Sequence, residues 1–244
     1  GLMRHVAGMI SGILWDRVED RGPRFVVHEW HGDHLKRWSI TAGDPAPTAL
    51  EDQSTPGGIL LREPEFQVRA AWLDHGTPVL AFAWEPFGKL QVRNEQLQAE
   101  GLKPGPWLHD LKMAVLRQRP DELISPEARR TYRAEDLARK LLIQAPGEKI
   151  AYGTDFADTS DNISKMTELA QGAHTLFCEA SFMAADKEQA RHTHHLTTRT
   201  CAGIAEAAQV RQLIAFHFSH RYDRKRDQVY RELGEFTDRL VIPG

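Results

Sequence analysis

The chain is poor in cysteine, carries little net charge and lacks any long hydrophobic run. Its two cysteines, Cys178 and Cys201, are not in a CxxC spacing and both lie in apolar patterns, which favours buried thiols in a reducing cytoplasm. A formal charge of −3 at pH 7 argues against coating nucleic acid by bulk electrostatics, so any polyanion must be bound locally. No apolar stretch approaches the roughly 20 residues of a transmembrane helix, so no membrane association is expected.

The N-terminal stretch RHVAGMISGILW predicts a core-facing helix rather than a signal peptide. Val6, Ile10, Ile13, Leu14 and Val18 fall on one helical stripe, and no small-residue cleavage site follows. Because the chain opens on glycine within this helical pattern, a processed form or a fragment of a longer protein is one interpretation of it.

The rest of the pattern predicts a single α/β domain over residues 1–244. Residues 41–60 are rich in proline, glycine, aspartate and threonine and indicate a surface loop. Apolar alternation predicts strands at 66–75 and 78–85, and helical patterns follow at 94–100, 107–117 and 134–143. Strands at 149–155, 175–180 and 212–217 then alternate with helices at 162–172, 197–208 and 224–238.

Three polar residues each close one of the apolar strands. His75 closes FQVRAAWLD, Asp155 closes KIAYGT, and His217 closes QLIAF. Strand ends of an α/β sheet share a rim, so these side chains can converge on one ligand. Two imidazoles and one carboxylate suit Zn²⁺, and an aspartate can also bridge two metal ions about 3.5–4 Å apart, as in phosphodiester hydrolysis.

Longer runs point in order and spacing to one known family. They read YGTDFADTSDN, GAHTLFCEASF and HLTTRTCAGIAEAAQVRQLIAFHFSHRY, preceded by DHGTPVLAFAWEPFGKLQV and GLKPGPWLHDLK. Together they cover about residues 65–222 and resemble ribonuclease Z, a branch of the metallo-β-lactamase fold. The resemblance implies an α/β, four-layer αββα sandwich, either complete or lacking its N-terminal strands.

The same resemblance implies roles for individual residues. By it, His75 is a ligand of one zinc ion, Asp155 bridges two, and His217 binds the other. His195, in HHLTT, matches the family histidine that protonates or polarises the departing oxygen, which an imidazole is suited to do. Glu179 matches a family acid and is interpreted as a partner that orients a histidine, with a surface acid as the alternative.

Neighbouring residues complete the resemblance. Arg221 lies in the family's Phe-Ser-x-Arg-Tyr ending, where it either meets a phosphate or has a structural role. Thr197 is predicted to cap the following helix, whereas His192 and His194 are interpreted as solvated. The chain departs from the family at Tyr152, where some members carry an acid, and it shows no long basic, glycine-rich arm.

The run HEWHGDH has the composition of a metal site, with three histidines and one aspartate in seven positions. The family signature is His-x-His-x-Asp-His, but Glu29 stands where its first histidine belongs. The surrounding residues resemble instead the helix and strand that follow the signature. We interpret the run as a strand-to-turn junction with Gly32 in the turn, while a rearranged metal site using His31, Asp33 and His34 stays open.

Without that signature, neither zinc ion of a two-zinc site has enough protein ligands for the usual four-coordination. A missing segment supplied elsewhere, a degenerate homologue and the rearranged site are the open explanations. The leading hypothesis is a zinc-dependent endonuclease that hydrolyses RNA, of the precursor tRNA 3′-processing type. A hydrolase of small esters or lactones and a catalytically degenerate scaffold are alternatives, and the resemblance alone implies a homodimer.

Overall fold

The computed structural model describes residues 1–15, 22–127 and 130–243. These residues form two compact units, Gly1–Leu60 and Leu61–Gly244, and each is described by itself. The single domain expected for the whole chain stays a prediction. Within the described residues, every helix is too short or too polar to span a membrane.

The first unit combines one helix with a three-stranded antiparallel sheet. Its small core joins Ile10 of the helix to Val27 and Ile40 of the sheet. Strand β2 lies between β1 and β3. The elements are α1 (Leu2–Ser11), β1 (Arg24–Trp30), β2 (His34–Thr41) and β3 (Asp44–Ser54).

The predicted N-terminal helix is confirmed but is shorter than its apolar stripe. Ile10 is buried and Val6 packs against the small core, as expected. Because α1 ends at Ser11 with Gly12 as its C-cap, Ile13 and Leu14 lie beyond the helix and are exposed. Val18 lies outside the described residues.

The surface loop predicted for residues 41–60 is wrong over most of its length. Asp44–Ser54 forms β3, which pairs with β2 through partners such as Thr48 with Ser39. Proline cannot donate to a strand ladder, which made this stretch look like a loop. Because β3 is an edge strand, Pro47 needs a partner on one side only and the strand tolerates it.

The second unit is built on a six-stranded sheet with strand order β13-β12-β11-β6-β5-β4. The predicted strands are all present, with ends shifted by one to two residues. The strands are β4 (Ile59–Arg62), β5 (Phe66–Asp74), β6 (Pro78–Pro86), β11 (Ile150–Gly153), β12 (Thr175–Glu179) and β13 (Gln212–Phe216).

Strand direction decides which chain ends meet in this sheet. Strands β11, β12 and β13 are mutually parallel, whereas β6 is antiparallel to both β11 and β5. Strand β5 therefore runs in the same direction as β11. The carboxyl ends of β5, β11, β12 and β13 consequently share one edge of the sheet.

One face of the sheet is covered by helices and the other is half exposed. Four helices contribute to the main core with the sheet, namely α5 (Ser160–Ala170), α6 (Lys187–His192), α7 (Thr198–Ala207) and α8 (Arg226–Phe236). Met166 of α5 and Ile204 of α7 pack with Leu176 and Leu213 of the sheet in the main core. On the opposite face, four aromatic side chains are 36–40% exposed, namely Trp72, Phe82, Trp84 and Tyr152.

Between β6 and β11 the chain forms a second hydrophobic cluster, centred on Trp107, Leu111 and Leu137. Two predicted helices are confirmed here, but the third stops at Leu141 because Leu142 has extended backbone angles and starts a strand. The elements are β7 (Lys89–Val92), α2 (Asn94–Ala99), α3 (Trp107–Leu116), β8 (Leu123–Glu127), β9 (Arg130–Arg133), α4 (Ala134–Leu141) and β10 (Leu142–Ala145).

Candidate metal and catalytic site

The residues predicted at the strand ends lie together at the carboxyl edge of the sheet. His75 follows β5, Asp155 follows β11 by two residues, Glu179 ends β12, and His217 follows β13. His195 joins them from the segment between α6 and α7, with its ring centroid 4.7 Å from that of His75 and 5.2 Å from that of His217. The expected convergence of His75, Asp155 and His217 on one rim is thus present.

His75 is oriented by a main-chain partner far along the chain. Its Nδ1 lies 2.8 Å from the carbonyl oxygen of His194. A carbonyl oxygen can only accept, so Nδ1 carries the proton and donates. Nε2 is therefore the nitrogen of His75 with a free lone pair.

His195 is held by a carboxylate in the same manner. Its Nδ1 lies 2.8 Å from Oε2 of Glu179, which leaves Nε2 of His195 free. The next helix, α7, begins directly after Thr197, whose side chain accepts a hydrogen bond from the backbone N–H of Thr200 at 3.3 Å. The predicted N-cap is therefore confirmed, and it places His195 just outside the first turn of α7.

Glu179 is a buried acid that accepts several hydrogen bonds, and not a surface acid. Its carboxylate accepts hydrogen bonds from the backbone N–H of Phe156 at 2.7 Å and from His195, and Oγ of Ser181 lies 2.7 Å away. Burial alone raises its pKa, but the hydrogen bond from His195, the imidazole of His217 at 3.9 Å, and the hydrogen bonds from Phe156 and Ser181 outweigh burial and lower the pKa to about 2. Glu179 is therefore ionised at neutral pH and orients His195.

His217 faces Asp155 across the edge. Its Nε2 lies 3.6 Å from Oδ1 of Asp155, while its Nδ1 lies 3.3 Å from Oγ of Ser181. Glu179 raises the pKa of His217, burial opposes this, and the charge of Asp155 adds to the rise. Ser181 has one hydroxyl hydrogen and lies 2.7 Å from Glu179 and 2.8 Å from the carbonyl oxygen of His217, so it links these two residues.

Asn162 ties the His75 turn to the segment that carries Asp155. Its side chain accepts from the backbone N–H of Asp74 at 2.9 Å and donates to the carbonyl oxygens of Asp74 and Ala157, both at 2.8 Å. Asn162 is buried in the first turn of α5. Sequence reasoning missed both Asn162 and Ser181, because a short polar residue near a helix start or strand end gives no signal of a partner distant in sequence.

Two groups of side chains at this edge have donor atoms within 4.8 Å of one another, His75 with Asp155 and His195, and Glu179 with His195 and His217. Imidazole nitrogen and carboxylate oxygen are donors that zinc accepts, and three protein ligands are usual for a catalytic zinc ion. The first group therefore fits a divalent metal. The second already contains the hydrogen bond between His195 and Glu179, which fits an orienting role better.

Arg221 is engaged in protein contacts. Its guanidinium lies 3.2 Å from Asp186 and 5.3 Å from the ring centroid of Phe182. Asp186 also accepts a hydrogen bond from the hydroxyl of Tyr222. Of the two interpretations of Arg221, these contacts favour the structural one.

The run HEWHGDH forms a β-hairpin turn in the first unit. Strand β1 ends at Trp30, Gly32 adopts a φ of 95°, and β2 begins at His34. The rings of His31 and His34 stack at 5.3 Å, and Nδ1 of His34 lies 2.7 Å from Asp33. Among the described residues, neither group with metal-binding geometry includes His31, Asp33 or His34.

No protein-family model matches the chain. The chain is similar to ribonuclease Z of Deinococcus radiodurans, at 29% identity over 234 residues that cover 96% of this chain and 68% of that protein. Ribonuclease Z of Brevibacillus brevis is 30% identical over 234 residues, which cover 82% of this chain and 68% of that protein. The chain belongs to the ribonuclease Z family.

The resemblance to ribonuclease Z, expected from the sequence runs, is thereby confirmed, and the helices and strands described above confirm the α/β class. The match to ribonuclease Z of Methanothermobacter thermautotrophicus, at 29% identity, covers 81% of this chain and 58% of that protein. In the matches to these three relatives, the chain thus spans 58–68% of the ribonuclease Z length.

Two solved structures are similar over part of the chain. Human tRNase Z, short form, is 18% identical with a TM-score of 0.39, and the match covers 67% of this chain and 40% of that one. The metallo-β-lactamase fold protein YhfI from Bacillus subtilis is 13% identical with a TM-score of 0.43, covering 76% of this chain and 49% of that one. Membership of the ribonuclease Z family rests on the sequence relatives.

Proposed function

We propose that this chain is a zinc-dependent phosphodiesterase that cleaves RNA at the 3′ side of precursor tRNA. The observation that carries the proposal is the convergence of His75, Asp155, His195 and His217 at one edge of the sheet. Membership of the ribonuclease Z family supports the choice of RNA as substrate. A cytoplasmic location and a homodimer are part of the same proposal.

The residues proposed to hold the metal are His75, Asp155 and His217, as the family resemblance implies. Of these, His75 and Asp155 belong to the group that fits a divalent ion, and Nε2 of His217 lies 3.6 Å from Asp155. His195, the third member of that group, is the proposed proton donor. A bound divalent metal supplies Lewis acidity for a phosphoryl oxygen and lowers the pKa of water. Gly153 helps to place Asp155, because a Cβ at this position would lie 2.7 Å from Sδ of Met166. Helix α5 can therefore pack tightly against the end of β11, directly before the segment that carries Asp155.

His195 is the residue proposed to protonate the departing oxygen. To act as an acid His195 must carry a proton on both nitrogens, because Nδ1–H is bound to Glu179. Hydrolysis breaks the phosphorus bond to the departing oxygen and forms a bond to a water oxygen, and the Nε2 proton of His195 passes to the departing oxygen. The proton lost by the attacking water returns to Nε2 of His195. The ionised Glu179 fixes the orientation of His195 through the Nδ1 hydrogen bond.

The test is cleavage of a 3′-extended precursor tRNA by the purified chain, with zinc and with chelator. We expect cleavage that chelator abolishes and that Asp155→Ala abolishes as well. Asp161→Ala is the matched control, since Asp161 is an exposed acid on α5 that pairs with Lys165. Hydrolysis of a simple ester without RNA cleavage would favour the ester hydrolase, and inactivity on both substrates would favour the scaffold.

A further inference from the structure

Five non-glycine residues in the described part of the chain have a positive φ, which L-amino acids rarely adopt. Two of them, Asp155 and His217, carry proposed ligand side chains. The other three, Gln118, His194 and Gln209, each lie two residues beyond the end of a helix. Left-handed backbone is common at this position, where it closes a helix by the Schellman pattern.

His194 closes α6 by the full Schellman pattern. Its N–H donates to the carbonyl of Arg191 at 3.3 Å, and the N–H of His195 donates to the carbonyl of Ala190 at 2.9 Å. Gln209 closes α7 identically, with bonds of 3.0 Å to Glu206 and, from Val210, of 3.2 Å to Ala205. Gln209 therefore shares the backbone conformation of His194 without contacting the site.

His194, which closes α6, differs from Gln209, which closes α7, in the hydrogen bond that its carbonyl group accepts. The carbonyl oxygen of His194 accepts from Nδ1 of His75, 119 positions earlier in the chain. Its imidazole is exposed, lies edge-on to the ring of His75 with centroids 6.2 Å apart, and belongs to neither group with metal-binding geometry. The hydrogen bond between His194 and His75 is made by the main chain of His194.

We propose that His194 is a positioning residue that acts through its carbonyl group. It holds His75 as the Nδ1–H tautomer and so presents the Nε2 lone pair to the metal. The backbone conformation that ends α6 at His194 places His195 outside the helix and also orients His75. One local conformation therefore fixes the positions of two histidines. His194 was expected to be merely solvated, and the structure adds this role to its exposed ring.

The proposal rests on the proposed metal site, but its main test needs neither metal nor activity. Two-dimensional ¹H–¹⁵N spectra of the imidazoles of the metal-free chain distinguish the two neutral tautomers. We expect His75 to be the Nδ1–H form, whereas an imidazole free in water prefers the Nε2–H form. Finding His75 in the Nε2–H form would overturn the proposal even if the chain cleaves RNA.

Substitutions at the two helix stops sharpen the test. A β-branched residue resists positive φ, so His194→Val should displace the carbonyl, release His75 to the Nε2–H form and weaken zinc binding by about 10–100-fold. His194→Gly accepts positive φ and should preserve both properties. Gln209→Val imposes the same backbone conflict on α7 and should leave the His75 tautomer and zinc affinity unchanged.

Two outcomes of these substitutions would contradict the proposal. One is an equal effect of His194→Val and Gln209→Val on His75, which would indicate a general loss of structure. The other is loss of the Nδ1–H form in His194→Gly, which would mean that the side chain and not the carbonyl acts on His75. If His194→Val does not fold, His194→Gly and the unmodified chain still decide the question.

Discussion

The hairpin HEWHGDH and the carboxyl edge of the six-stranded sheet contain the same kinds of side chain and use them differently. In the hairpin, His34 pairs with its neighbour Asp33, whose side chain is 91% exposed. At the sheet edge, His195 pairs with Glu179, which is fully buried and ends strand β12, 16 positions earlier in the chain. A buried carboxylate with several donors holds an imidazole in one orientation, whereas an exposed neighbour competes with water. The difference lies in the partners and not in the histidines.

The largest expected effect is on zinc content. Asp155→Ala should lower zinc affinity by more than about 100-fold, because even outer partners of ligands change affinity by about 10–100-fold. His31→Ala combined with His34→Ala should leave zinc content per chain unchanged. Mass spectrometry of the zinc-loaded, desalted proteins measures the zinc content of both. Loss of zinc in the hairpin variant would support the alternative that His31, Asp33 and His34 bind metal.

The next effect concerns the stability that depends on Glu179. Glu179→Gln replaces an ionised acceptor with an amide among donors aimed at a carboxylate, and should lower the free energy of unfolding by about 3 kcal/mol. Urea unfolding of the metal-free proteins measures this. Glu188→Gln, at an exposed position on α6, should not change the free energy of unfolding measurably. If Glu179→Gln also leaves it unchanged, the hydrogen bonds to Glu179 do not stabilise the fold.

A smaller loss is expected at Asn162. Asn162→Ala removes the side-chain acceptor of the Asp74 N–H and one of the two donors to each of the carbonyls of Asp74 and Ala157, which keep backbone partners, at about 2 kcal/mol. Because it loosens the His75 turn, zinc affinity should fall as well. The exposed Asn94 supplies the control in Asn94→Ala, and equal stability of the two variants would refute the role of Asn162.

The smallest effect should be that of the hairpin pair, Asp33 and His34, on the free energy of unfolding at low pH. The pKa of Glu179 lies below its usual 4.5, so its contribution is present above pH 4.5 and is lost as the pH falls toward about 2. In Glu179→Gln the free energy of unfolding should therefore fall less steeply as the pH is lowered from 4.5 toward about 2. The hydrogen bond from His34 lowers the pKa of Asp33, but this exposed pair is screened, so Asp33→Asn should follow the unsubstituted chain. If Asp33→Asn also loses less stability at low pH than the unsubstituted chain, the exposed pair would contribute to stability as the buried one does.

The strand ends and the residues that follow them were predictable from the sequence. His75, Asp155 and His217 each come after a short apolar run, and the direction of parallel strands then brings them together. Thr197 was equally readable, because a helix N-cap depends on neighbouring residues only. Local pattern therefore sufficed for elements and for the side chains at their ends.

The partners that orient these side chains were not predictable in the same way. Asn162 bonds to Asp74 over 88 positions and His194 to His75 over 119, and no local pattern encodes such a pairing. Strand β3 was missed because its prolines suppress the strand signal, although an edge position tolerates them. The run HEWHGDH had the reverse problem, since its composition suggested metal binding and its hairpin geometry supplies only local partners.

The long separation between His75 and His194 has a consequence for how the molecule is made. During synthesis, His75 leaves the ribosome well before the residues that orient it, and the last proposed ligand arrives only with β13. Closing such large loops costs entropy that later contacts must offset, so the metal site should be among the last regions to form. A chain interrupted before His217 would lack one of the proposed ligands and so could not complete the metal site.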